Sequence, residues 1–156
     1  MADPADIDRQ PPLGFFNYAG SFLDAARHLA LAADTGELRL RFDAPIYFLY
    51  SHALELALKA FLRAKGYAAQ CLASREFGHK LGVLWRECTK EGLSTDPVND
   101  AFIEAMIDVL DPLAAAYEFR YLKIGPKQVP QLDELELAIG WLRAAVEPFV
   151  RPAAPT

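Results

Sequence analysis

The stretch from Asp43 to Gly66, DAPIYFLYSHALELALKAFLRAKG, most limits what this chain can become. Between Pro45 and Leu62 it carries His52, Glu55 and Lys59 as its strongly polar side chains in an otherwise apolar run. A helix hydrophobic nearly all round is a buried helix, so this pattern predicts the central rod of a helical bundle. Asp43 suits an N-cap, Pro45 falls in the first turn where a missing N–H does little harm, and Gly66 after Arg63 and Lys65 reads as a stop. A run of roughly 20 residues approaches the length of a membrane span, but charges in its middle and a basic last turn favour a soluble core helix. At about 100° per residue, His52, Glu55, Lys59 and Arg63 fall within about 80° of one another. One polar stripe therefore runs down an apolar rod.

The rest of the chain supplies partners for that rod. Residues 1–13 crowd Asp3, Pro4, Asp6, Asp8, Pro11 and Pro12 without periodicity and read as a flexible N-terminal arm. From Gly14, Phe15, Phe16, Ala19, Phe22, Leu23, Ala26, Leu29, Ala30 and Ala33 recur at helical spacing, predicting an amphipathic helix over 14–34 that Thr35 and Gly36 end. Leu38, Leu40 and Phe42 alternate with charges, but the segment is too short and partnerless for a sheet and reads as a connector. Residues 68–72 read as a short turn. Leu81, Leu84, Trp85 and Cys88 predict a helix from about His79 to Lys90 closed by Gly92.

Asp96 followed by Pro97 is a helix start, with Phe102, Met106, Val109, Leu113 and Ala116 expected to face inward. Pro112 falls within that pattern, so either a kink near Asp111 or a new helix capped by Asp111 is expected, the kink being favoured. The break at 118–130 holds Arg120, Lys123 and Lys127 with no acid between Glu118 and Asp133. A last helix is predicted from Gln131 to about Val146 with Leu132, Leu135, Ile139, Leu142 and Val146 facing in, and residues 147–156 read as a fraying, proline-rich end. The sum is an all-α, up-and-down bundle of about five helices forming one domain over 14–149, with a flexible tail at 150–156.

Composition narrows the function classes. With 16 basic against 21 acidic side chains the net charge is −5, so the whole surface is not built to hold nucleic acid by charge, and any phosphate site must be local. Acids and prolines occupy the start where a signal peptide needs a basic end and an apolar run, which predicts a cytoplasmic protein with reduced Cys71 and Cys88. The spacing of those cysteines matches no zinc pattern, and burial as small apolar residues is expected. The P-loop, dinucleotide fingerprint, HExxH and GxSxG patterns are absent, so no cofactor and no metal is expected.

What remains is a set of polar groups on an apolar frame, each with two readings. Glu55 and Lys59, spaced i, i+4, form either a helix-face pair or part of a clamp to Arg120. His52 in an aromatic neighbourhood reads as a satisfied core histidine. His79, just before Leu81, either caps the following helix through its ring or serves a site. Arg120 and Tyr121 can grip a phosphate and stack a base, or bridge to Glu55 or Glu118. The Phe15, Phe16 and Tyr18 cluster reads as core or a subunit contact.

Taken in order, SHALELALKAFLRAKG, GHKLGVL and EFRYLKIG resemble the HEPN domains (higher eukaryotes and prokaryotes nucleotide-binding). The residues carrying the resemblance are Glu55, Leu58, Lys59, His79, Leu81, Arg120 and Tyr121, and it spans about residues 44–145. It implies an all-α bundle, a homodimer, and binding of nucleotide or RNA, often beside a nucleotidyltransferase or toxin–antitoxin partner. HEPN ribonucleases use an Arg followed about four to six residues later by a His, the latter moving protons and the former holding phosphate. That pair is absent here: three residues separate Arg75 from His79, no His follows position 79, and Leu122 stands where a Pro usually follows the Arg-Tyr pair. The expected function is non-catalytic binding of a nucleotide or RNA phosphate through Lys59, His79, Arg120, Tyr121 and Lys123, with His52 and Glu55 orienting the site. Two alternatives stand beside it: a protein-binding helical module of a toxin–antitoxin or defence-type complex, and an RNA endonuclease with a displaced site using His79 as base.

Overall fold

A computed structural model describes residues 9–116 and 128–152. These residues form six helices and no strand: α1 (Pro12–Asp34), α2 (Ala44–Ala64), α3 (Ala69–Leu72), α4 (Leu81–Lys90), α5 (Pro97–Ala115) and α6 (Leu132–Val150). The architecture is a helical bundle, and α2 is its centre, packing against α1, α4, α5 and α6. Thirteen of the 21 residues of α2 are buried, from Ile46 to Leu62. The apolar rod is therefore inside, with Glu55 and Lys59 buried along with it.

Around α2 each helix presents one apolar stripe. Phe16, Ala19, Leu23 and Ala26 are the buried face of α1, and Leu81, Leu84, Trp85 and Cys88 that of α4. Both sets recur every three or four residues, which is what one side of an α-helix requires. Burying each large aliphatic side chain of this kind contributes about 1.5–3 kcal/mol relative to exposure. Positive φ falls at Gly36, Gly66 and Gly92, each just past the end of a helix, where a Cβ would strain the backbone.

Several sequence expectations are corrected in detail. The first helix begins at Pro12 rather than Gly14, because Pro at the first helical position loses no intrahelical hydrogen bond. Asp43 occupies the N-cap of α2 without a side-chain bond; its carbonyl instead accepts from the Ile46 and Tyr47 amides at 2.9 and 3.2 Å. The last helix does not end at Val146 but runs through Pro148 to Val150. Val150 is buried there, and Phe149 packs edge-on to Phe61 at 4.9 Å, so apolar burial holds the extra turn despite the proline.

In α5 the inward face is Ile103, Ile107 and Leu110, one position from the expected row, while Phe102, Met106, Val109 and Leu113 are half-buried. Phe102 meets Trp141 of α6 edge-on at 5.5 Å instead. The helix continues through Pro112 and Asp111 caps no new one, so the split does not occur. At its start the expectation holds: Asp96 accepts from the Val98 and Asn99 amides, both at 2.9 Å.

Candidate functional site

The polar stripe of α2 is assembled around one carboxylate. Glu55 lies in the middle of the helix with its side chain 7% exposed. Its Oε1 accepts from Lys59 Nζ at 2.7 Å, one turn on, and its Oε2 accepts from His79 Nδ1 at 2.9 Å. An ionised carboxylate only accepts, so Nδ1 of His79 carries a proton and donates this bond. His52 Nδ1 stands 3.6 Å from the same Oε2, within electrostatic range but beyond a hydrogen bond, and it has no hydrogen-bond partner among the described residues. The His52 ring is held instead by aromatics, edge-on to Phe22 at 4.5 Å and stacked on Phe48 at 5.9 Å. His52 is thus packed as expected but is not a satisfied core histidine.

Burial alone would raise the Glu55 pKa, yet His52, His79 and Lys59 together outweigh it and hold the carboxyl well below its ordinary value of 4.5. The charged form is the one the fold selects. Lys59, with its side chain 9% exposed, spends one of three N–H donors on Glu55, and the other two meet no protein acceptor among the described residues. His79 is more open at 34% exposure. It does not cap α4, whose N-cap position is Lys80; burial of the Glu55 charge draws the ring across to α2 instead.

Of the predicted binding residues, Lys59 and His79 are brought together by Glu55, while Arg120, Tyr121 and Lys123 lie outside the described residues. Arg63, the last member of the stripe, turns to the backbone, its Nε donating to the Gln10 carbonyl and its Nη1 to the Tyr67 carbonyl. The Phe15, Phe16 and Tyr18 cluster divides: Phe16 is core, Phe15 is half-buried, and Tyr18 is 64% exposed.

A second network was not legible beforehand. Tyr50 of α2 donates to Glu136 of α6 at 2.8 Å, and Arg27 of α1 donates to the other Glu136 oxygen. Burial and the Glu136 carboxylate push the Tyr50 phenol up, so it remains a donor. These residues border a groove of about 690 Å³ between α1, α2 and α6 that also exposes Asp34, Asp43 and Asp133. Its acids oppose binding of a phosphate there. No group of three His, Cys, Asp or Glu among the described residues can hold a metal ion, and no described helix is long and apolar enough to cross a membrane.

No protein-family model matches the chain, and no curated protein or solved structure is detectably similar to it. The resemblance to HEPN domains therefore stands on the sequence runs that carry it.

Proposed function

We propose that the chain is a HEPN-like helical domain that binds the phosphate of a nucleotide or RNA at the Glu55 cluster, without cleaving it. The observation that carries this reading is Lys59, an almost fully buried ammonium with two N–H donors that meet no protein acceptor among the described residues, beside the half-open His79 ring. A phosphate oxygen is a strong acceptor for such donors, and charge-assisted bonds at a partly desolvated site are the stronger kind. Glu55 then acts as the positioning group, holding Lys59 and His79 on one side of α2. Arg120, Tyr121 and Lys123 join the site in this reading as phosphate and base contacts, and a homodimer and a nucleotidyltransferase or toxin–antitoxin partner follow from the resemblance alone.

Thermal denaturation with ATP, GTP, NAD or short RNA, with and without magnesium, tests it. A ligand at 100 times its Kd adds about 2.7 kcal/mol, raising the midpoint of a domain this size by roughly 5 to 11 °C. A shift abolished by Arg120→Ala supports the reading. No shift with any ligand overturns it in favour of a protein-binding module, for which a co-purifying protein is then sought.

A second reading, an endonuclease with a displaced site, draws on the His79–Glu55 bond. A carboxylate that orients an imidazole through Nδ1–H is the arrangement a histidine general base uses. RNA cleavage that is lost in His79→Gln, with binding and melting retained, favours it; cleavage absent in the native chain removes it.

A further inference from the structure

Arg143, in the middle of α6, has an unusual environment. Its guanidinium lies over the Phe16 ring of α1 at 4.5 Å, and its Nε is buried with no hydrogen-bond partner. No hydrogen bond or ion pair to Arg143 is present among the described residues. Asp24 and Glu147 act on it only at a distance, and burial draws its pKa down, although a guanidinium stays protonated. The face of the cation is thus occupied by an aromatic ring, while Nε in its plane meets no acceptor.

Two further features converge on the same place. Gly20 stands opposite in α1, where a Cβ would come within 3.0 Å of Arg143 Nη2. A glycine inside a helix weakens it, and here it leaves the room the guanidinium fills. Arg151, just past the end of α6, brings a second guanidinium to 5.7 Å from the same ring, steadied by Asn17 Oδ1 at 3.1 Å and, more loosely, Glu147 at 3.8 Å. Arg27, the third cation of this seam, is taken up by Glu136 and Asp24. The site shares no residue with the Glu55 cluster, so the two stand or fall separately.

We propose that Arg143, backed by Phe16 and Gly20 and flanked by Arg151, binds a phosphate group at the seam between α1 and α6. The planar fork of donors matches phosphate oxygens two at a time, and the second arginine adds charge from the same side. The source is either free phosphate or a phosphate monoester.

The Arg143 Nε–Hε resonance of the full chain, titrated with inorganic phosphate and separately with AMP against sodium chloride at matched ionic strength, reads the site directly. A saturable shift with phosphate, beyond that of chloride, is expected; an AMP curve saturating at lower concentration assigns the site to a monoester, and one saturating higher assigns it to the free ion. Arg143→Lys keeps the charge and loses the fork, and is expected to weaken binding about tenfold, read from the Arg151 resonance. Gly20→Ala is expected to weaken it in the same direction with the chain still folded. A response no larger than that of chloride, or affinity unchanged in Arg143→Lys, overturns the proposal.

Discussion

His79 donates from Nδ1 to Glu55 Oε2 at 2.9 Å, joining the residue before the N-cap of α4 to the middle of α2 across 24 positions of sequence. This bond makes a buried carboxylate tolerable. It completes the second oxygen of a group whose first oxygen is held by Lys59, and both bonds lose their charge assistance together if Glu55 is neutralised.

Glu55→Gln keeps the volume and removes the charge, leaving the Lys59 ammonium buried without its counter-ion. Breaking one side of a buried pair costs about 3–5 kcal/mol, or roughly 6 to 20 °C in Tm for a domain of this size. The double variant Glu55→Gln, Lys59→Met removes both charges and is expected to cost less than Glu55→Gln alone. Urea denaturation of the three proteins checks the order; a double variant less stable than Glu55→Gln contradicts it.

Stability should also depend on pH through this group. The folded-state pKa of Glu55 lies below its ordinary value of 4.5, so its contribution is full above about pH 4.5 and is lost as pH falls through the folded-state value. Native urea midpoints are expected to drop from pH 5 to pH 3 more steeply than those of Glu55→Gln, measured at about the same pH values. Parallel curves would show that other carboxylates dominate acid unfolding.

Only one of the two thiols should react in the folded protein. Cys88 is fully buried, with Sγ 3.4 Å from the Leu58 carbonyl, and burial pushes its pKa up, whereas Cys71 is half-exposed. The thiolate is the reactive form, so alkylation should modify Cys71 first and Cys88 only on unfolding. Peptide mapping after brief and denaturing labelling distinguishes the sites. Equal rates would mean that α4 opens readily.

Asp96→Ala should remove the acceptor for two amides at the start of α5 and destabilise the domain by about 1 kcal/mol, while Asp96→Asn should cost less. Chemical denaturation resolves the difference. An unchanged Asp96→Ala would shift the role of starting the helix to Asp100, which accepts from Ser94 and Thr95.

The candidate site was half legible in advance. Lys59 stood out as a charge on an apolar rod, and His79 as a histidine before an apolar stripe, but their meeting at Glu55 is a long-range fact. The Arg143 arrangement was missed entirely. Its one signal is position, beside Leu142 and four residues after Ile139 at the edge of the α6 stripe, and such a border arginine ordinarily only lays its stem on the core.

Local sequence by itself determined which segments become helices and where several stop, because periodicity, proline and glycine act within a few residues. It determined that α2 would be central, since a rod apolar on nearly every side has no stable place except inside. Tertiary structure decided what each face meets. In α5 two apolar rows lie side by side, and contact with the neighbouring helices buried Ile103, Ile107 and Leu110 rather than Phe102 and Met106. In α6 it carried the helix past Pro148, because burial of Val150 outweighed a missing donor. Glu55 shows the same division: its helix followed from its neighbours in the chain, and its ionisation from partners that only the fold brings together.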